Sequence, residues 1–109
     1  MAKEVTVKKG GKLYAVPFGE IVCFEKNLRK IRLHTSRGCI EYYGTFAELL
    51  PELDGRFLCC HRSYVLNMDM IVCFGRSEII MSDETRYHFG STSYLRGRKI
   101  FEDYITQKP

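Results

Sequence analysis

Most of the chain consists of short apolar or alternating segments separated by polar turns. Alternation with a period of two is typical of strands that bury one face, and short dense apolar runs are typical of strands buried on both faces. The predicted strands are Glu4–Lys8, Lys12–Pro17, Glu20–Glu25, Arg29–Thr35, Cys39–Tyr43, Phe57–Arg62, Ile71–Phe74, Glu78–Met81 and Thr85–Phe89. Turn-forming residues such as Gly10-Gly11, Arg37-Gly38 and Ser82-Asp83 favour hairpin connections. The pattern predicts a mainly β, antiparallel domain.

Two of these segments predict their own positions in a sheet. The run from Ile21 to Phe24 is apolar at every residue, which indicates a central strand covered on both faces. The segment Arg29–Thr35 alternates, with Ile31 and Leu33 expected in the core and the polar residues between them facing solvent.

A short helix is predicted from Phe46 to about Leu53. Thr45 is the expected N-cap, and Glu48, three residues later, completes a capping-box pattern. We expect this helix to cover one end of the core.

A second helix is predicted near residues 93–105, with Ser91 as the candidate cap. Tyr94, Phe101 and Ile105 recur at helical spacing and are expected to form the buried stripe.

The size and composition of the chain indicate a single domain over residues 1–109. A chain of 109 residues with 45% hydrophobic residues can bury one core. Its formal net charge is only +4, which does not by itself indicate a nucleic-acid partner. No apolar run approaches the roughly 20 residues that cross a bilayer, and the N-terminus lacks an apolar signal region. We therefore expect a soluble, cytoplasmic protein without a membrane partner.

The five cysteines are expected to be reduced, since their number is odd and no export signal precedes them. They lie in apolar strand segments, where a free thiol acts as a small hydrophobe. No pair has the spacing of a zinc knuckle. Cys59 and Cys60 are adjacent and should point to opposite faces, although this pair remains a candidate for sensing oxidation.

Catalytic chemistry is not evident in the sequence. The glycine pair in Lys9–Lys12 precedes a strand and not a helix, so it is interpreted as a hairpin turn and not as a phosphate loop. His61 cannot meet its neighbour Cys60 on an extended strand, and no other residue is evident to orient it. We expect no enzyme activity, no cofactor and no metal site.

Arginines in the predicted turns suggest a different chemistry. A guanidinium can donate two hydrogen bonds to a phosphate or to the O6/N7 edge of guanine. Arg29, Arg37, Arg62 and Arg76 all lie in or beside turns, although any one of them could simply be solvated surface. Single-strand binding would instead need exposed aromatic residues, and most of the tyrosines are expected in the core.

The run Phe57–Asn67, FLCCHRSYVLN, places polar side chains between two buried anchors. Such groups are held rigidly, which suits recognition of a shaped surface. The alternative is that His61, Ser63 and Asn67 only satisfy backbone groups at a turn.

This run closely resembles the F-x-R-x-H-R-S-Y-x-V-N signature of LytTR domains, the DNA-binding output modules of a class of bacterial response regulators. Three further segments support the resemblance: Gly19–Glu25 is similar to the family's D-I-x-Y-I-E segment, Tyr43–Leu49 to its short-helix entry, and Ser91–Lys99 to the start of its C-terminal helix.

The resemblance implies an elongated fold of about ten mostly antiparallel strands in three small sheets. It also implies loops that enter successive major grooves of double-stranded DNA to regulate transcription. The implied base contacts are Arg29, Arg62 and Ser93. The implied backbone or loop-supporting residues are Lys30, His61, Ser63, Asn67, Arg96 and Arg98. Paired direct repeats in the DNA would hold two copies of the chain, and a receiver domain or other regulator is expected as a separate partner.

The chain departs from the family pattern at two places. Cys59 stands where the family has an arginine, and Phe89–Thr92 stands where it has P-V-S-R. Ser93 cannot make a two-pronged guanine contact, so Arg96 or Arg98 is expected to bind phosphate there, or specificity at that loop is weaker. These departures keep open an alternative, a β-rich protein-interaction or redox-sensing module without specific DNA binding.

Overall fold

A computed structural model describes residues 3–107, apart from the side chain of Cys60. Within these residues the chain forms ten strands and two α-helices. The strands are β1 Glu4–Lys9, β2 Lys12–Pro17, β3 Ile21–Asn27, β4 Lys30–Thr35, β5 Gly38–Tyr43, β6 Phe57–His61, β7 Tyr64–Asn67, β8 Ile71–Phe74, β9 Ile79–Met81 and β10 Arg86–Tyr87. The helices are α1 Phe46–Leu49 and α2 Ser91–Gln107, and short 3-10 turns cover Phe18–Glu20, Leu50–Glu52 and Met68–Met70.

The strands form three small antiparallel sheets. One contains β1 and β2, the second has the order β5-β4-β3-β7-β6, and the third has the order β10-β9-β8. The predicted mainly β class and the three small sheets are confirmed. All nine predicted strands are present, and the tenth is β7. It was not counted separately because only Arg62 and Ser63 divide it from β6.

Strand β3 is central, as its apolar pattern predicted. It pairs with β4 on one side and β7 on the other, and the four residues from Ile21 to Phe24 are buried. Ile21 and Phe24 belong to one core cluster, whereas Val22 and Cys23 belong to another. In a regular strand Ile21 and Cys23 would face the same side, so their division between two clusters requires an irregularity in the strand. The register between β3 and β4 shifts between Ile21 and Cys23, as in a β-bulge.

Helix α1 begins as predicted but is shorter. The Thr45 hydroxyl accepts a hydrogen bond from the Glu48 amide at 3.2 Å and lies 3.0 Å from the Glu48 carboxylate. The helix gives way to a 3-10 turn at Leu50–Glu52, where Pro51 lacks the amide needed to continue it. Phe46 and Leu49 pack into the core and close one end of it.

Helix α2 differs from its prediction at both ends and in its buried stripe. Ser91 is the first helical residue and not the cap, because the Tyr94 amide donates to the Gly90 carbonyl at 2.9 Å. Phe101 and Tyr104 pack against the third core cluster. Ile105 is 49% exposed, so its place in the predicted stripe is wrong. Tyr104 takes that place because it lies three residues after Phe101, within the same helical face.

The cysteines are less buried than expected. Of those whose side chains the structure describes, Cys23 is buried, whereas Cys39, Cys59 and Cys73 are exposed, and all four are free thiols. The three exposed cysteines lie in strands that have one face packed on the core and the other in solvent. A position in a strand therefore did not guarantee burial. Cys60, the second residue of the candidate redox pair, has its side chain outside the described part of the chain. No helix within residues 3–107 is both long and apolar enough to cross a membrane.

Candidate nucleic-acid interface

Two arginine-bearing turns lie at the same end of the five-stranded sheet. Leu28 and Arg29 connect β3 to β4, where Asn27 pairs with Lys30. Arg62 and Ser63 connect β6 to β7, and Tyr64 pairs with Glu25 near the end of β3. The Lys26 amide donates to the Ser63 carbonyl at 2.8 Å and so links the two turns. We call this end, formed by Leu28, Arg29, Arg62 and Ser63, the arginine edge.

Both arginines of this edge are available to a ligand. Arg29 and Arg62 are exposed, and neither has a carboxylate within ion-pair distance among residues 3–107. Both arginines therefore belong to turns at the same end of the sheet, and neither is held in an ion pair among the described residues. An exposed guanidinium without an acidic partner keeps all of its donors for an external acceptor.

The Leu28–Arg29 turn has an unusual conformation for its sequence. Leu28 adopts a φ of 59°, a region that glycine and asparagine enter more easily than leucine does. Its side chain is 87% exposed. The turn therefore carries a strained apolar residue directly beside Arg29.

The Arg62–Ser63 turn is held by the side chain of His61. Its Nδ1 accepts a hydrogen bond from the Ser63 amide at 3.0 Å. The imidazole ring lies 5.1 Å from the rings of both Tyr64 and Phe89 and is stacked on the latter. Because the ring packs against two aromatic side chains and also accepts the Ser63 amide, His61 acts as a brace in this structure.

A bulge also shapes this turn. The register between β6 and β7 slips between Leu58 and His61, so β6 carries an extra residue just before Arg62. Bulges bend a strand and redirect the side chains that follow. Cys59, which replaces the arginine of the resembled signature, lies in the bulged segment.

Phe89 brings the start of α2 to the same region. It leads through Gly90 into the first helical turn, where Ser93 is half-buried. Arg96, on the next turn, is exposed and has no described acidic partner within ion-pair distance. The contact between Phe89 and His61 connects the segment that leads into α2 with the residue preceding the Arg62–Ser63 turn.

Arg98 is engaged within its own helix. Its Nε donates to Glu102 at 3.0 Å and a terminal nitrogen donates to the Tyr94 hydroxyl at 3.2 Å. These contacts raise the pKa of the guanidinium, first through Glu102 and then through Tyr94. Of the two helix arginines proposed for phosphate binding, Arg96 is therefore the freer one.

The Lys30 ammonium is partly engaged by neighbouring side chains and is therefore less available to a ligand than Arg29 or Arg62. Its ammonium lies 3.5 Å from Glu41 and over the Tyr43 ring at 5.2 Å from the centroid. Glu41 also accepts from Arg32 at 3.3 Å. Arg32 first, and Lys30 after it, lower the pKa of Glu41, so this carboxylate stays charged and partly neutralises the cations beside it.

Asn67 lies far from any accessible surface. It is fully buried, its amide nitrogen donates to the carbonyls of Phe18 and Ile21 at 3.1 and 2.8 Å, and its oxygen accepts from the Asp69 amide at 2.9 Å. The phosphate contact offered as one of its two roles is therefore excluded. What it does in this structure is brace the chain at the other end of β7.

The other two turn arginines lie in different connections of the chain. Arg37 follows β4 at the opposite end of the sheet and pairs with Glu20 at 3.2 Å. Arg76 lies between β8 and β9, in a loop that follows Phe74, whose ring is 5.4 Å from that of Tyr94. Arg37 therefore does not lie at the end of the sheet that carries Arg29 and Arg62, because β4 reverses the chain direction before reaching it.

A buried polar network beneath the edge was missed by sequence reasoning. The Tyr87 hydroxyl lies 2.8 Å from the Cys23 sulfur and donates to Glu25 at 3.0 Å, and the same Glu25 oxygen is 2.7 Å from His34 Nε2. Burial raises the pKa of the Cys23 thiol to about 12, and burial first, then Cys23 and Glu25, raise the pKa of the Tyr87 hydroxyl.

This network joins the five-stranded sheet to β10. Cys23, Glu25 and His34 bring ligand atoms within 4.8 Å of one another, but each is already engaged in a hydrogen bond of the network. No short-range motif could have revealed it, since Tyr87 is separated from Cys23 by 64 positions.

Comparisons with known proteins agree with this geometry. The family model described as the LytTr DNA-binding domain matches residues 11–100. Accessory gene regulator protein A of Staphylococcus aureus is 33% identical over 86 residues, which cover 77% of this chain and 36% of that protein. The protein of the same name from Staphylococcus epidermidis is 34% identical over 79 residues, covering 71% and 33%. The chain spans about a third of the length of these relatives.

A solved LytTr DNA-binding domain from Bacillus cereus has a similar fold. The TM-score is 0.74 at 21% sequence identity, and the match covers 90% of this chain and 95% of that one. At this identity the likeness concerns the fold.

Proposed function

The chain belongs to the LytTr DNA-binding domain family and is thus a DNA-binding domain, and we propose that it recognises a specific double-stranded sequence through the arginine edge and so regulates transcription. The observation that carries this proposal is that Arg29 and Arg62 are exposed, have no acidic partner among residues 3–107 and belong to adjoining turns. Turns of this kind can enter a major groove, where arginine recognises guanine with two hydrogen bonds.

The side chains have different proposed roles. Arg29 and Arg62 read bases, and Ser93 makes a weaker contact at the start of α2. Phosphates are bound by Lys30, Ser63 and Arg96. His61 and Asn67 support the turns without touching DNA, and Arg98 contributes only if it leaves Glu102.

The assembly and setting are also part of the proposal. We infer that the DNA site is a pair of direct repeats occupied by two copies of the chain, that the protein acts in the cytoplasm without enzymatic activity, and that another domain or protein controls it. These inferences rest on membership of the family. The chain is about a third of the length of its relatives, so the activity of the whole protein is inferred and not observed.

Selection of bound sequences from random duplex DNA tests the proposal. A recovered motif that contains guanines, with a second copy at fixed spacing, is the expected result. Uniform weak binding to all sequences would contradict it. The affinity ratio between the recovered motif and random DNA should be about a thousandfold or more at physiological salt.

The alternative of a redox-sensing module is not favoured. Cys59 is exposed as a residue, but partial desolvation of its thiol raises the pKa of that group, and a smaller thiolate fraction makes a cysteine less reactive toward oxidants.

A further inference from the structure

A second group of cations lies at the tip of the first hairpin. Gly10 and Gly11 form its turn with φ values of 58° and 76°, which suit the two-residue turns that glycine favours. Lys9 pairs directly with Lys12 across the hairpin, and Lys8 pairs with Leu13. We call Lys8, Lys9 and Lys12 the lysine hairpin.

These charges are not explained by folding. Like charges directly opposite each other on paired strands are destabilising, and Lys9 faces Lys12. The glycine turn and the buried Val5, Val7 and Val16 are sufficient to form and anchor the hairpin. All three lysines are exposed, and within residues 3–107 none has a carboxylate in ion-pair distance.

The lysine hairpin lies beside the arginine edge. Lys8, Lys9 and Gly10 line a groove together with Lys30, Glu41, Tyr42 and Tyr43. The next groove shares Lys30 and Tyr43 and is also lined by Leu28 and Arg29. Lys30 and Tyr43, which line both grooves, therefore connect the lysine hairpin to Arg29, and the Glu41 carboxylate lies among these cations.

We propose that the lysine hairpin binds the phosphate backbone of DNA on the flank of the sequence that Arg29 reads. This inference rests on the proposed function. Lysine is suited to the role because its ammonium is a mobile point charge that attracts phosphate without selecting a base. Lys8 and Lys9 lie before residue 11, where the match to the family begins, and Lys12 lies within it.

An anionic membrane is the competing partner for a lysine-rich hairpin, and Leu13 is 71% exposed next to Lys12. The observations favour DNA because the lysines adjoin Lys30 and Arg29. A vesicle measurement decides between the two partners.

The test is the salt dependence of DNA binding by a triple variant, Lys8→Gln with Lys9→Gln and Lys12→Gln. Each phosphate contact that is lost should reduce the slope of log affinity against log salt by about 0.9. The expected reduction is thus about two to three for the triple variant between about 50 and 200 mM salt. The preferred sequence should not change.

A charge-matched control removes three cations that are already paired elsewhere. Arg37→Gln, Arg86→Gln and Lys99→Gln break ion pairs with Glu20, Glu78 and Asp103 and reduce the net charge equally. This control should keep a slope near that of the original protein. A triple exchange of the hairpin lysines to arginine should also keep it, and circular dichroism verifies the fold of each variant.

Hydroxyl-radical footprinting locates the contact. Protection of the backbone on one flank of the motif should be lost in the glutamine variant, and removing those flanking base pairs should abolish the difference between the variant and the original protein.

Three results would overturn the inference. An unchanged slope in the glutamine variant means that the hairpin does not contact phosphate. Lysine-dependent binding to phosphatidylglycerol vesicles with an unchanged DNA slope assigns the hairpin to membranes. If the original protein has neither sequence preference nor salt-dependent affinity for DNA, the proposed function fails as well. An unchanged slope in the glutamine variant, by contrast, refutes only the role of the lysine hairpin.

Discussion

The two ends of the five-stranded sheet carry similar turns but differ in whether the polar groups of those turns are paired within the protein. At the arginine edge, Arg29 and Arg62 are exposed without described acidic partners. At the opposite end, Arg37 pairs with Glu20, the Thr35 hydroxyl donates to the Gly38 carbonyl at 2.8 Å, and the Ser36 amide donates to the Glu20 carbonyl at 3.0 Å.

The difference separates binding from stability. A turn whose donors are satisfied within the protein has nothing to offer a ligand, whereas a turn that leaves them free gains little folding stability from them. We therefore expect substitutions at the opposite end to affect unfolding, and substitutions at the arginine edge to affect DNA affinity. Four predictions test this division, beginning with the largest expected effect.

Asn67→Ala should reduce the free energy of unfolding by about 2 to 4 kcal/mol, because it removes the buried side-chain donor of the Phe18 and Ile21 carbonyls and leaves the Phe18 carbonyl with only the Ile21 amide. Chemical denaturation measures the change, and Arg62→Ala serves as the exposed control. A loss below about 1 kcal/mol would mean that water replaces the amide and that this end is less tightly bonded than its geometry indicates.

Arg62→Ala should weaken binding to the selected sequence by about 1 to 3 kcal/mol and random DNA much less. Its unfolding free energy should stay within about 0.5 kcal/mol of the original. Fluorescence anisotropy with both duplexes provides the comparison.

The control for this prediction is Arg37→Ala, at the opposite end, which should keep the affinity. Equal losses on both duplexes would reduce Arg62 to a phosphate contact, and an effect of Arg37→Ala as large as that of Arg62→Ala would contradict the division between the ends.

Tyr87→Phe should reduce the unfolding free energy by about 1 kcal/mol, since it removes the hydroxyl that joins Cys23 to Glu25 while preserving the ring. DNA affinity should remain unchanged under conditions where the variant is folded. A loss of affinity without a loss of stability would show that the network beneath the edge positions the DNA-contacting turns.

Glu41→Gln should give the smallest effect, a modest increase in DNA affinity at low salt, because Lys30 and Arg32 lose their shared acidic partner. The pKa of Glu41 is lowered in the folded protein. Its contribution to stability is therefore present above its ordinary pKa and is lost as the pH falls through the folded value.

The variant should lack this small acid-side loss. Weaker DNA binding after Glu41→Gln would indicate that the carboxylate orients Lys30 and does not neutralise it.

Local patterns were enough to predict much of the fold. The apolar run at Ile21–Phe24 predicted a central strand, and the Thr45–Glu48 spacing predicted the start of α1, because both depend on neighbouring residues. The end of α2 was not predicted well. Tyr104 and Ile105 are both apolar enough to be buried, and only the position of β6 and β8 selects Tyr104.

The candidate site was predictable to a different degree. The Phe57–Asn67 run identified the turn that carries Arg62. Its composition could not show that the turn with Ser63 is accessible whereas the side chain of Asn67 is buried. From the sequence, the lysine hairpin was interpreted only as a turn. Lys8 and Tyr43 line one groove in the folded chain, and their distance in sequence gives no sign of this.

The order of residues therefore sets the strands, the turn types and the family, because these follow from side-chain periodicity, from φ preferences at turns and from a local signature. Which cations share a surface is decided by strand pairing. In an antiparallel sheet each hairpin turn lies at one of two ends, and the sheet order places Arg29 and Arg62 together and Arg37 apart. Burial of Asn67 and the meeting of Cys23 with Tyr87 likewise depend on contacts between distant segments, which close only when the sheets pack.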